Sequence, residues 1–282
     1  MGIDNIIITS HSKRIRKFID DYFDNFNRNK RFMNCAILLL KSDPDNPIMI
    51  NIKLIYNGES DPRENRDLRN YYNTGEFNSL NLKSTTLIIP EGLNIFLIRH
   101  AQGYHNLNNT IIKKIKALDD KHILKDPQLT DLGKIQASNA GKFLYLNYNY
   151  VKNNSIYFCS ILLRTRETIS LILDEFNLLN QEIIVLPQSH EISNFIIPES
   201  FVLNNGQCIN KSTNRILYKC DFTTSKDSKN GIYKFNWNYF SKIKSNKLKL
   251  TNMLYEAYII YAMILQKDNN YIDWLRKKLI KL

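Results

Sequence analysis

Ile95-Phe96-Leu97-Ile98-Arg99-His100-Ala101-Gln102-Gly103-Tyr104-His105-Asn106 is the stretch on which the reading of this chain turns. Its first four residues form an unbroken apolar run, as in a strand buried on both faces. The run ends in Arg99-His100 and passes into a polar turn. Two other segments repeat this design. Ile6-Ile7-Ile8-Thr9 leads into Ser10-His11-Ser12-Lys13 and then a helix, whose apolar stripe is Ile15, Phe18, Ile19, Tyr22, Phe23 and Phe26. Ile156-Tyr157-Phe158-Cys159-Ser160 leads into a helix from about Leu163 to Phe176. Strands alternating with helices predict an α/β fold, a three-layer α/β/α sandwich with a mostly parallel central sheet.

Working outward, Cys35 to Lys41 and Ile48 to Tyr56 read as a pair of strands turned by Asp43-Pro44-Asp45. Asn57 to Lys83 is polar and aperiodic, which predicts a linker or surface excursion. Leu129-Thr130-Asp131 opens a helix to about Tyr145, with Thr130 as its cap. Glu182 to Leu186 is a further strand candidate. Ile196 to Lys249 has a weak pattern and reads as a variable cap or insertion. Two helices, Leu250 to Gln266 and Tyr271 to Lys281, close the chain.

In parallel sheets, ligands collect beyond the carboxyl ends of the strands. The residues found there are His11, Arg99-His100, and Ser160 to Arg164. Two histidines and two arginines converging on one pocket suit phosphate chemistry. An imidazole can act as nucleophile. Guanidinium groups clamp phosphoryl oxygens and stabilise their charge during transfer. A carboxylic acid is still required to protonate the leaving oxygen.

The segment Leu97 to Asn106 resembles the Arg-His-Gly motif of the histidine phosphatase superfamily, with its phosphoglycerate-mutase-like fold. Ala101 stands where Gly is usual. Asp126-Pro127-Gln128-Leu129-Thr130-Asp131-Leu132-Gly133, with Gln136-Ala137, resembles the next motif of that family. Ser160-Ile161-Leu162-Leu163-Arg164-Thr165-Arg166-Glu167-Thr168 resembles its Ser-Pro-Leu-x-Arg-x-x-x-Thr stretch, with Ile161 in place of Pro. The resemblance implies that His100 is the nucleophile and forms a phosphohistidine. It implies that Arg99, Arg164 and Asn106 bind the phosphoryl group, and that Glu191 is the proton donor. His105 lies in the same loop, where it can line the pocket. Arg166 is read as forming a salt bridge on the helix.

The family also has a second histidine on its closing strand, but no histidine follows His190 here. Asn5-Ile6-Ile7-Ile8-Thr9-Ser10-His11-Ser12 resembles that strand, and Phe32-Met33-Asn34-Cys35-Ala36 resembles what lies downstream of it. Tyr271 to Leu282 resembles the helix that precedes it. The chain therefore reads as one circularly permuted domain. Residues 1–56 correspond to the family's C-terminal part, 57–92 hold the connection, and 93–282 supply the N-terminal and middle parts. His11 then joins His100 and Glu191 as a catalytic residue and also contacts phosphate.

The implied activity is metal-independent hydrolysis of a phosphomonoester through a phosphohistidine. A phosphomutase is the first alternative. An inactive relative that binds a phosphorylated ligand or a protein is the second. No cofactor or metal is expected, and the expected partner is a small phosphorylated substrate. The net charge is +12, but the basic residues are dispersed along the chain, so nucleic acid is not expected. The 4 cysteines include no C-x-x-C pair, there is no secretory-type leader, and no apolar run reaches bilayer length. A soluble cytoplasmic protein, not attached to a membrane, is therefore expected.

Overall fold

The first strand, β1 (Asn5–Ser10), is buried at all six positions. Such a strand must be paired on both edges and covered on both faces. The computed structural model describes residues 3–42, 50–60, 67–77, 80–83, 87, 89–107, 111, 127–160, 162–178, 181–186 and 189. It also describes the backbone of 201–204, 207–210, 216–219 and 234–236, and residue 257. After β1 come α1 (Ser12–Tyr22), β2 (Phe23–Asp24), β3 (Ile37–Ser42), β4 (Ile50–Tyr56), β5 (Asn81–Leu82) and β6 (Asn94–Arg99). Next are α2 (Asp131–Asn147), β7 (Ser155–Cys159), α3 (Leu163–Asp174) and β8 (Glu182–Val185). The last are β9 (Phe201–Asn204), β10 (Gln207–Asn210), β11 (Ile216–Lys219) and β12 (Lys234–Asn236).

The main sheet has 7 strands in the order β12-β8-β7-β1-β6-β3-β4. From β12 to β6 every pairing is parallel; β3 and β4 add an antiparallel hairpin. The first strand of the chain thus sits between β6 and β7, in the middle of the sheet. Alternate side chains of each strand go to opposite faces. Ile6, Ile8, Leu38, Leu40, Ile95, Leu97 and Phe158 pack under α1, through its Ile15, Phe18, Ile19 and Tyr22. Ile7, Leu39, Phe96, Ile98, Tyr157 and Cys159 pack under α2 and α3. The predicted three-layer α/β/α arrangement is what the described residues form.

Thr130 caps α2 as the sequence implies, accepting from the Gly133 amide at 3.0 Å. Two other regions depart from expectation. The aperiodic segment Asn57 to Lys83, read as a linker or surface excursion, puts Tyr72 and Phe77 into the core on the α1 side, and Leu87 and Ile89 follow just beyond it. The Tyr72 ring lies 5.2 Å from Phe26, 4.7 Å from Phe32 and 5.4 Å from Phe77, centre to centre. These anchors sit on turns and 3-10 segments, where neither helical nor strand period marks them. The second departure is β12, inside the region read as a variable cap; it extends the main sheet beside β8. Strands β9 to β11 form a separate three-stranded antiparallel sheet. The predicted Asp43-Pro44-Asp45 turn and, apart from buried Ala257, the two closing helices lie outside the described residues. No helix among the described residues is long and apolar enough to cross a membrane.

Candidate active site

Parallel register brings three strand ends together. Ser10 is opposite Arg99 and Thr9 is opposite Cys159, so the next residues, His11, His100 and Ser160, lie side by side. The His100 amide donates to the Ser10 carbonyl at 2.9 Å, and the Ser160 amide to the Thr9 carbonyl at 3.0 Å. His11 leaves the sheet in an extended conformation (φ −117°, ψ 147°) and forms the N-cap of α1. All the polar groups gathered here are buried: His11, Ser160, His100, Arg164 and Arg99. The His11 and His100 rings are 5.0 Å apart, edge to face.

Hydrogen-bond partners assign the protons on both rings. His100 Nδ1 is 2.6 Å from the Ala101 carbonyl. A carbonyl can only accept, so Nδ1 carries the proton and Nε2 presents its lone pair. That is the form a nucleophilic imidazole needs. His11 Nδ1 faces Arg164 Nη2 at 3.4 Å, and its Nε2 lies 2.9 Å from Ser160 Oγ. A guanidinium can only donate, so in His11 the proton sits on Nε2 and points to Ser160. Arg99 donates to the Phe32 carbonyl. The Arg99 amide also bonds the Ala36 carbonyl, at 3.0 Å.

Burial, then the charge of Arg164, then His105 and Arg99, hold the imidazole of His100 well below its usual range; the bond to Ala101 opposes this. His105 is depressed in the same direction by burial, Arg164 and Arg99. This has a consequence for stability. As pH falls through about 6.5, the unfolded chain protonates both imidazoles while the folded chain leaves them neutral. The unfolded state then binds more protons, so stability falls with pH in the window below 6.5, by about 1.4 kcal/mol per pH unit for each histidine. Urea unfolding at pH 5.5 and 7.5 measures it. The double variant His100→Ala, His105→Phe should lose most of this slope, and an unchanged slope would contradict the neutral state of these rings.

A second tier of hydrogen bonds fixes the loop after β6. The Ala101 amide donates to Thr168 Oγ1 at 3.0 Å, and the Gln102 amide to Gln136 Oε1 at 3.0 Å. Thr130 Oγ1 donates to Gln102 Oε1 at 2.8 Å. The α2 backbone comes so close that a Cβ on Gly133 would lie 2.1 Å from the Gln102 carbonyl oxygen. Gly133→Ala must therefore push α2 off the loop. The expected cost is about 3 kcal/mol, read as a lowered urea midpoint, with activity lost alongside because the loop begins at His100.

Of the residues singled out in the sequence, the structure brings His11, Arg99, His100 and Arg164 together, with His105 beside them. Asn106 lies in the same loop, where its Oδ1 accepts from the Gly103 amide at 3.1 Å. Glu191 and His190 lie outside the described residues. Arg166, read as forming a salt bridge on the helix, is only 2% exposed, because α3 is buried around its whole circumference. The sequence reading gave no role to Ser160, although it opens a quoted motif, or to Cys35. The Cys35 amide donates to the His100 carbonyl at 3.4 Å from a left-handed backbone (φ 59°). Among the described residues, no group of three or more His, Cys, Asp or Glu side chains could hold a metal ion.

Residues 95–195 match the sequence model of the histidine phosphatase superfamily (branch 1). This segment belongs to the histidine phosphatase superfamily. The match takes in Arg99, His100, Asn106, Arg164 and Glu191, and leaves His11 and β1 outside it. No curated protein and no solved structure matches the chain. The superfamily assignment carries phosphohistidine-type phosphatases and mutases as the coarse class of activity.

Proposed function

We propose that this chain hydrolyses phosphomonoesters through a phosphohistidine on His100, in a circularly permuted histidine phosphatase domain whose N-terminal strand supplies the second histidine. The observation carrying this reading is the pairing of His11 with His100, ring centres 5.0 Å apart, although only His100 lies in the matched segment. The bare Nε2 of His100 attacks phosphorus and the ester oxygen leaves. Glu191 gives that oxygen its proton. Arg99 and Arg164 hold the equatorial oxygens and neutralise their charge; Asn106 completes the clamp, together with His11 once its Nε2–H turns from Ser160 to a phosphoryl oxygen. Water then attacks the phosphohistidine, returning His100 and releasing phosphate. With two guanidinium groups in place, the step needs no metal. The substrate is a small phosphorylated molecule and the protein acts in the cytoplasm.

The test is hydrolysis of an aryl phosphate in the presence of a chelator, combined with rapid acid-free quenching to look for a base-stable, acid-labile phosphoenzyme. Turnover with a labelled intermediate at His100 supports the reading. A stable phosphoenzyme without turnover would favour transfer to another acceptor, and no labelling at all would favour a binding role. The permuted order has its own check. Joining Leu282 to Met1 through a short linker, and reopening the chain within 57–92, should give an enzyme of similar activity.

A further inference from the structure

Two further imidazoles lie near His100. His11 lies at 5.0 Å and His105 at 5.4 Å, ring centre to ring centre, the latter inclined by 46°. His105 sits in the 3-10 turn Tyr104–Asn106, a few residues after His100 and the end of β6. The roles assigned above do not use it.

The seat of this ring has been cleared for it. A Cβ on Gly103 would lie 2.9 Å from His105 Nδ1 and 3.1 Å from Cε1. Gly103 has an ordinary extended backbone (φ −98°, ψ 165°), so nothing in its conformation calls for glycine. What calls for glycine is the space taken by the Nδ1–Cε1 edge of His105. On that edge Nδ1 is buried and has no hydrogen-bond partner. A proton there would be a buried orphan donor, which is costly, whereas a bare lone pair against carbon costs less. The neutral ring therefore carries its proton on Nε2.

Chemistry gives a reason for a neutral donor at this place. Arg99 and Arg164 already lower the basicity of His100. A third cation would weaken the nucleophile further, while a neutral N–H can bind an anionic oxygen without doing so. We propose that His105 Nε2–H is a further contact to the transferring phosphoryl group, hydrogen-bonding one of its oxygens alongside the two arginines. This rests on the phosphoryl-transfer reading of the site and adds a substrate-contacting residue to it.

Titration of the full-length protein with inorganic phosphate tests the proposal. His105→Phe keeps a ring of similar shape without the donor, and His105→Gln places an amide N–H near the position of Nε2. Phosphate affinity should fall on the order of 10- to 100-fold in His105→Phe and stay within about threefold of wild type in His105→Gln. Equal binding by wild type and His105→Phe overturns the role of His105 and leaves the phosphoryl reading intact. Absence of phosphate binding by wild type overturns both. Equal losses in the two variants, with a lowered melting temperature, assign His105 to packing and overturn the proposal. Should His105→Phe fail to fold, the glutamine variant and the Nε2 nitrogen resonance of wild type decide. A resonance that does not move at saturating phosphate overturns the contact.

Discussion

His100→Ala should abolish aryl phosphate hydrolysis, with kcat falling on the order of 10^4-fold or more, while the protein stays folded and still binds phosphate. The expected size follows from the role of the ring. On the proposed reading, Nε2 of His100 forms the covalent bond, and neither of the other two imidazoles described in the pocket is placed to do so. His11 directs its Nε2–H to Ser160 at 2.9 Å, and its Nδ1 is engaged by Arg164. His105 carries its bare nitrogen against Gly103. Binding survives because Arg99 and Arg164 enter the pocket from β6 and α3, independently of the imidazole. Folding survives because the ring is a liability in acid, kept neutral by burial and by the arginines. Below pH 6.5 the alanine variant should therefore lose less stability than wild type. Rapid-quench labelling and urea unfolding check the two halves. Residual turnover within about tenfold of wild type would remove His100 from the nucleophile's place.

What could be read in the sequence follows from the length of the signals. Three strands that end in a histidine or a serine, each followed by a helix, fix the parallel sheet and the face where the site forms. The runs Ile6–Thr9, Ile95–Ile98 and Ile156–Cys159 are apolar without alternation, and all three are central strands buried on both sides. Register does the rest, because in-step parallel pairing must put His11 beside His100. Other features had no such signal. Tyr72 and Phe77 reach the core from turns, where burial leaves no period. The contact between Gly133 and Gln102 depends on how closely α2 docks, a distance no local pattern encodes. The full burial of Arg166 has no local signal either, since only the packing of α3 shows that the helix is enclosed. Ser160 stood in view within a motif, but its partner His11 is 149 positions away in the chain. Short-range spacing says nothing about a bond of that length.

His11→Ala should lower kcat on the order of 10^2- to 10^3-fold. A group that stabilises charge during transfer is worth less than the nucleophile but more than a positioning contact. The change also leaves Ser160 Oγ without its imidazole partner, in a place where both side chains are fully buried, so a stability loss of about 1–2 kcal/mol should accompany it. Ser160→Ala separates the two effects. It keeps the His11 ring and removes only the acceptor for Nε2–H, so activity should fall about tenfold with a similar loss of stability. If the two variants lose activity equally, His11 acts by packing and not on the phosphoryl group. A mixing experiment then addresses the proposed permutation. His11 and His100 meet within one chain, through β1 lying directly between β6 and β7. Mixing His11→Ala with His100→Ala protein should therefore restore no activity at any concentration. Recovery on mixing would mean that β1 exchanges between chains, and that the pocket is shared by two copies.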